Sequence, residues 1–312
     1  MRKQILTVIL SGIAMCTLAQ GRIIPLTDLP ASASVLATAN SRAGNQSSAY
    51  IYTNPAAMFG RDTKTEADYS FALQPVRKGP DYTVHTLTAA QRLGKNALFV
   101  GARYMNMGTL KTFVDENMQE TERSPLALSS YTIDAGYARR LAARLAAYAT
   151  MGYATQHTLT HISAWHAGIG IALTDSLHLG NRPLTYNLNA AATNLGRYAY
   201  GDNNGSLSPR LSLGGSTTLQ LSPRQQLSLY IDAAQYLAAE NEKPTTEIST
   251  ALAYRFCRNY QLSTGTHFGD NDNFIATGLS KTFGMFTLNA AIKWPIQTGT
   301  NRLYMAGLQI DI

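Results

Sequence analysis

From about Glu66 to the end at Ile312 the sequence repeats with a period of two. Ala67, Tyr69, Phe71 and Leu73 fall on one face, and Asp68, Ser70, Ala72 and Gln74 on the other. Tyr131, Ile133, Ala135 and Tyr137 alternate in the same way with Thr132, Asp134 and Gly136. So do Leu227, Leu229, Ile231 and Ala233 with Ser228, Tyr230 and Asp232, and Phe286, Leu288, Ala290, Ile292 and Trp294 with the residues between them. The last stretch sets Tyr304, Ala306, Leu308, Ile310 and Ile312 against Met305, Gly307, Gln309 and Asp311. Side chains alternate across a strand, so this pattern predicts an all-β chain with one greasy face. A soluble sandwich shares that pattern, and the second face separates the two. Here it carries Gly, Ala, Ser, Thr and Asn with scattered charges, as a wet or filled lumen requires, while the apolar face often begins or ends in Tyr, Trp or Phe. Those are the marks of a transmembrane β-barrel with aromatic girdles.

Turn spacing gives the strand number. Breaks around Gly94-Lys95, Arg140 to Ala143, Pro223, Cys257-Arg258-Asn259 and Gly284 are short. They alternate with roomier stretches at Pro75–Pro80, Gly108–Pro125, Gln156–His161 and Gly196–Ser208; the connection near Asp175–Pro183 is looser than the rule. Short turns on one rim and longer loops on the other are the asymmetry of outer-membrane barrels. The count is about 14 antiparallel strands, an even number that lets the first strand close on the last.

Ahead of the strands, Arg2 and Lys3 precede the apolar run Ile5–Leu18 and a small-residue exit at Ala19, the form of a secretory signal peptide. The run is shorter than the roughly 20 residues that span a bilayer as a helix. Cys16 raises the alternative of a lipoprotein, although Met15 is bulkier than a lipobox residue at that position. The segment 20–65 has no strand period. It is polar and small through Asn40–Met58 and breaks at Asn54-Pro55-Ala56-Ala57. Proline donates no backbone hydrogen bond and biases the residue before it away from the α region, which fits a compact irregular segment. It reads either as an N-terminal plug or hatch inside the barrel or as a surface loop ahead of the first strand. The expected division is 1–19 signal peptide, 20–65 plug/hatch segment, and 66–312 outer-membrane barrel.

Chemistry is sparse. The formal charge of +7 falls to about +5 without Arg2 and Lys3, and no basic run tracks an aromatic platform. Nucleic acid is therefore not an expected partner, whereas lipid head groups at the outer membrane are. With the signal removed Cys257 stands alone, which excludes an internal disulfide and cysteine-pair metal sites. His157 and His161 have no acidic third ligand nearby, and Gly269-Asp270-Asn271-Asp272-Asn273 lacks the spacing of a calcium loop. No nucleophile elbow, phosphate loop or dinucleotide fingerprint occurs in a strand-to-helix context, so neither catalysis nor a cofactor is expected. Charges expected to face the lumen are Arg103, Asp134, Arg139, Asp232 and Arg255, with Arg144, Glu247 and Lys293. There they pair with one another or with the N-terminal segment, or form a polar relay. Candidate partner-facing loop residues are Thr109, Lys111 and Asp115 in one loop, and Tyr198, Asp202 and Asn203 in another.

The order of Asn54-Pro55-Ala56-Ala57, Gly101-Ala102-Arg103-Tyr104 running to Gly108, Asp134-Ala135-Gly136-Tyr137, Asn194-Leu195-Gly196, Thr266-His267-Phe268-Gly269-Asp270 and Asn301-Arg302-Leu303 resembles the PorV/PorQ family. These are outer-membrane barrels of Bacteroidetes, similar in structure to the FadL-like long-chain fatty-acid transporters. The resemblance implies a non-enzymatic component of type IX protein secretion, a cargo shuttle or a dock for a surface-attachment partner. Its partners would be other secretion-system or surface-attachment proteins and secreted cargo with C-terminal signal domains. The chain departs from the pattern in ending at Ile312, where an aromatic is usual, and in its short outer loops. The alternative is a FadL-like channel for passive transport of hydrophobic small molecules.

Overall fold

The computed structural model describes residues 23–44, 49–76, 80–114, 120–158, 160–180, 182–201, 203–239, 242–270, 272–296 and 301–312. The signal-peptide reading of 1–19 lies outside them.

One antiparallel sheet organises the chain. Its strands are β1 (Thr65–Gln74), β2 (Tyr82–Leu93), β3 (Asn96–Val114), β4 (Glu120–Arg140), β5 (Leu145–His157), β6 (His161–Leu179), β7 (Arg182–Tyr200) and β8 (Asn203–Ser206). They continue as β9 (Arg210–Ser222), β10 (Gln225–Tyr236), β11 (Thr245–Phe256), β12 (Tyr260–Phe268), β13 (Phe274–Phe283), β14 (Phe286–Pro295) and β15 (Leu303–Asp311). β8 pairs only with the end of β7, while β9 takes up the rest of β7. Fourteen strands therefore form the wall. It closes through β1 and β15, in register from Glu66 opposite Asp311 to Leu73 opposite Tyr304. A closed antiparallel sheet leaves no edge unpaired, which is what a strand structure in lipid requires.

The outer face is the apolar half of each alternation. Leu87, Val100, Ile133, Met151, Ile169, Leu213, Ile231 and Leu262 are all exposed there. Near one rim, outward aromatics form a row: Phe71 stands 5.2 Å from His85, His85 6.5 Å from Tyr104, and Tyr153 5.0 Å from Trp165. Toward the other rim Tyr254, Phe256 and Tyr260 stack in succession. Apolar bodies between two aromatic bands are the surface of a transmembrane barrel. The second rim is also where the chain ends meet, since Lys64 and Thr65 both donate backbone hydrogen bonds to the Ile312 carbonyl; it is called the terminal rim below.

All six strand connections on the terminal rim are short. The Asp175–Pro183 stretch, expected to be loose, is strand as far as Leu179 and turns at Gly180, whose φ of +61° suits a tight hairpin. Two expected outer loops are also largely strand. Most of Gly108–Pro125 extends the β3–β4 ladder, with bulges between Asn106 and Gly108 and between Leu110 and Thr112. Gly196–Ser208 folds as the β7–β8 hairpin. Turn residues and charges obscured the period in both stretches, and backbone pairing continued regardless.

Residues 23–44 and 49–64 lie against the inner face. A short helix, α1 (Ala33–Ala37), starts at Ser32, whose hydroxyl accepts from the Val35 N–H at 3.3 Å. It stops where Ala39 and Asn40 take positive φ. Its small face meets inward glycines. A Cβ on Gly278 would lie 2.3 Å from the Ala37 Cβ, and one on Gly265 would lie 2.9 Å from that of Ala39. Three 3-10 turns, Pro25–Thr27, Tyr50–Tyr52 and Pro55–Gly60, complete the described part of the segment. Asn54 stays out of the α region, as the following proline demands, and Pro55 opens its turn where a missing N–H costs nothing. Two apolar clusters join the segment to the wall. One is built on Leu26, Leu36, Phe274 and Met305, the other on Tyr50, Met58, Phe99 and Tyr148.

Gly278→Leu should therefore cost about 1–3 kcal/mol by overpacking against α1. The expected result is a barrel that still shows a heat-modifiable gel shift but whose residues 33–44 are cleaved faster by protease. Unchanged protease resistance would show that α1 does not pack there.

Candidate functional site: the barrel interior

Two kinds of residue create the interior: small inward side chains that leave room, and a few buried charges that fill it. At the terminal rim Arg61 bridges the segment to both ends of the sheet. It lies 2.9 Å from Asp311 and 3.5 Å from Glu66 and donates to the Tyr50 hydroxyl at 3.1 Å. Arg92 donates to the Asp62 carbonyl at 3.1 Å, and Arg140 donates to the Phe59 carbonyl while lying over its ring.

Midway along the barrel, Asp232 on β10 holds the segment by two bonds. It accepts from the Ser41 hydroxyl and, at 3.0 Å, from the Gly44 N–H. Asn54 donates its amide to Asn187 on β7 at 3.0 Å and to the Ala43 carbonyl at 3.2 Å. Tyr52 donates to Asp134 on β4 at 2.8 Å, and His166 on β6 lies 3.3 Å from the same carboxylate. Gly101 and Gly152 make room for this group, since a Cβ on Gly152 would lie 1.9 Å from an Asp134 oxygen. Burial first, and the Asp134 carboxylate second, push the Tyr52 phenol well above its ordinary range. It therefore acts as a fixed donor at any physiological pH.

Toward the far rim the Ile23 N–H donates to Glu242 at 2.7 Å, and the Tyr236 hydroxyl donates to Asp28 at 2.5 Å. Arg210 pairs with Glu247 at 3.3 Å beneath that contact. Arg103 donates to the Leu29 and Pro30 carbonyls at 3.0 and 3.4 Å. Between these contacts remains a cavity of about 80 Å³. Arg42, Arg103, Asp134, His166, Asn189 and Thr193 line it with Val35, Ile51 and Ala191. That is room for a few waters or one very small ligand.

Arg103, Asp134 and Asp232 all face this interior and are buried. Arg103 and Asp134 are joined through Tyr52, whose ring lies 5.4 Å from the Arg103 guanidinium carbon. Arg255 sits exposed on the inward side of the terminal mouth, bonded to Gln261 at 3.2 Å. Arg139 is a correction. It shares the parity of Tyr137 and Ile133 and is exposed outside the barrel, while Arg140 is the one that turns inward. Arg144 is likewise exposed at the rim, paired with Asp175 at 2.8 Å. Pro55, Ala56 and Ala57 are buried against the wall beside Asn54.

Of the loop residues, Thr109 is an exposed position of β3, and the backbone of Lys111 lies in the same strand. Asp115 and Asp202 lie outside the described residues. Asn203 opens β8 and is exposed. Tyr198 corrects the loop reading: it belongs to β7, is buried, and packs in the same apolar cluster as Leu26 and Phe274. His157 and His161 are cross-strand partners with rings 4.5 Å apart, and His161 bonds to the Thr155 hydroxyl.

Sequence reasoning missed Arg61, Arg92, Arg140, Tyr52 and Asn187. For Arg92, Arg140 and Asn187 the inward parity of their strands was the available signal. Arg61 and Tyr52 lie in chain that has no period.

No family model matches the chain, and no curated protein matches it in sequence. Solved structures do match in fold. The toluene transporter TbuX of Ralstonia pickettii has 12% identity and a TM-score of 0.61, over 90% of this chain and 98% of that one. The toluene transporter TodX of Pseudomonas putida has 12% identity and a TM-score of 0.59, over 89% and 96%. The CymD monoaromatic hydrocarbon channel has 11% identity and a TM-score of 0.59, over 93% and 99%. The chain therefore has a FadL-like fold. Nothing in these comparisons supports the PorV/PorQ resemblance, type IX secretion or a Bacteroidetes origin.

Asp232→Ala should destabilise the protein by about 2–4 kcal/mol, because it strands the Ser41 hydroxyl and the Gly44 N–H beside Arg210. The check is urea unfolding in detergent against the exposed control Asp62→Ala, which should match wild type. Equal midpoints for the two variants would contradict the anchoring role of Asp232.

Proposed function

We propose that the protein is a passive outer-membrane carrier for small hydrophobic molecules, with residues 20–65 acting as a movable hatch. One observation carries the reading: a barrel shared in fold with toluene and monoaromatic-hydrocarbon transporters, its interior occupied by the N-terminal segment. Among the described residues, the cavity of about 80 Å³ beside that segment has room for a few waters, so a larger solute would require the segment to move.

Movement of the segment would break separate hydrogen bonds and charge pairs, about 0.5–1.5 kcal/mol net each and about 1.5–3 where a charge takes part, and would open the two apolar clusters against the wall. The barrel wall keeps its own ladder whether or not the segment is seated. Hydrophobic solutes reach the membrane surface readily, and the polar surface layer above the lipid is what such a protein relieves.

The test is a reversible tether. A Cβ built on Gly307 would stand 3.7 Å from the Ala33 Cβ, within disulfide range. An Ala33→Cys/Gly307→Cys pair, in a Cys257→Ser background, should lock α1 to β15 when oxidised. Uptake of a lipophilic dye should fall to the level of membranes without the protein and recover on reduction. Uptake by the oxidised form equal to wild type would contradict a hatch.

A further inference from the structure

We propose that the terminal rim is a docking collar for anionic phospholipid head groups. A cation lies in, or within three residues of, each of the six connections on this rim: Lys95, Arg139, Arg182, Arg224, Arg258 and Lys281 at successive hairpins around the circumference. The first five are exposed, and none of the six is in an ion pair among the described residues. The acids on the same rim are largely spoken for. Asp175 is paired with Arg144, while Glu66 and Asp311 face Arg61 inside the mouth. Only Asp62 remains as an exposed counter-charge among the described residues there.

Hairpins on one rim recur every second strand, so adjacent cations stand roughly 10 Å apart around the barrel. Beside them on the same rim lie exposed apolar side chains: Leu93, Leu141, Leu179, Phe283 and Phe286. Lys281 shows the arrangement in miniature, with its Nζ 4.5 Å from the Phe283 ring centre and 4.9 Å from that of Tyr260. A cation at the water boundary beside an apolar surface matches both parts of a lipid, its charged head and its acyl chains. On the opposite rim Lys293 is paired with Asp272 and Arg302 lies over the Trp294 ring, while Arg197 and Lys243 are exposed. The ring of cations does not depend on what the barrel transports.

Native mass spectrometry of the full protein, released from detergent with equal amounts of phosphatidylglycerol and phosphatidylethanolamine, tests the collar. The expected result is about fivefold or greater enrichment of phosphatidylglycerol adducts. Enrichment should disappear in the variant Lys95→Gln/Arg139→Gln/Arg182→Gln/Arg224→Gln/Arg258→Gln. In case that variant folds poorly, raising salt from about 0.05 to about 0.5 M should abolish the enrichment in wild type. Equal retention of the two lipids by wild type, or enrichment that survives both salt and substitution, would overturn the collar. Displacement of bound lipid by millimolar inorganic phosphate would assign the ring to soluble anions and overturn it as well.

Discussion

Inside a bilayer there is no water to satisfy a peptide N–H or C=O, so each must find a partner within the protein. The ladder between β1 and β15 supplies the last of those partners, and the rest of the architecture depends on that closure. Once the sheet is a cylinder, its alternation has only two destinations. One set of side chains meets lipid and must be apolar. The other meets an enclosed lumen and is free to be small and polar.

The lumen then sets its own condition. Small inward residues leave space, and buried charges such as Arg103, Arg210 and Asp232 need partners in it. The N-terminal segment meets both needs. Its alanines fit against Gly278, Gly265 and Gly307, and its carbonyls and hydroxyls answer the charges. The polar groups are distributed along the whole barrel, from Arg61 at one end to Glu242 at the other. The segment is therefore held at many points along the barrel, by polar bonds and by two apolar clusters.

The barrel was legible because lipid enforces the period of two over most of the chain, and the expected faces at Tyr69, Ile133, Leu229 and Leu288 are the outward ones. The method failed where the period was interrupted. Bulges and turn-forming residues disguised the ladder through Gly108–Pro125, and a hairpin at Tyr198 passed for a loop. Arg139 was misassigned although its parity with Tyr137 was visible, because charge was weighed above register. The interior contacts could not be read at all from residues 20–65: Tyr52 meeting Asp134, or Asn54 meeting Asn187, depends on an irregular path that no short-range rule specifies. The order of short motifs suggested a secretion family, but the comparisons place only the fold, beside hydrocarbon-transporter barrels.

Transport is the most direct measure of the account. Uptake of radiolabelled toluene would be followed over time in cells that make the protein and in matched cells that lack it. The account requires faster initial uptake with the protein present, at the same final partition, since a passive carrier changes rate and not equilibrium. Identical initial rates, with the folded barrel verified in the membrane, would contradict it.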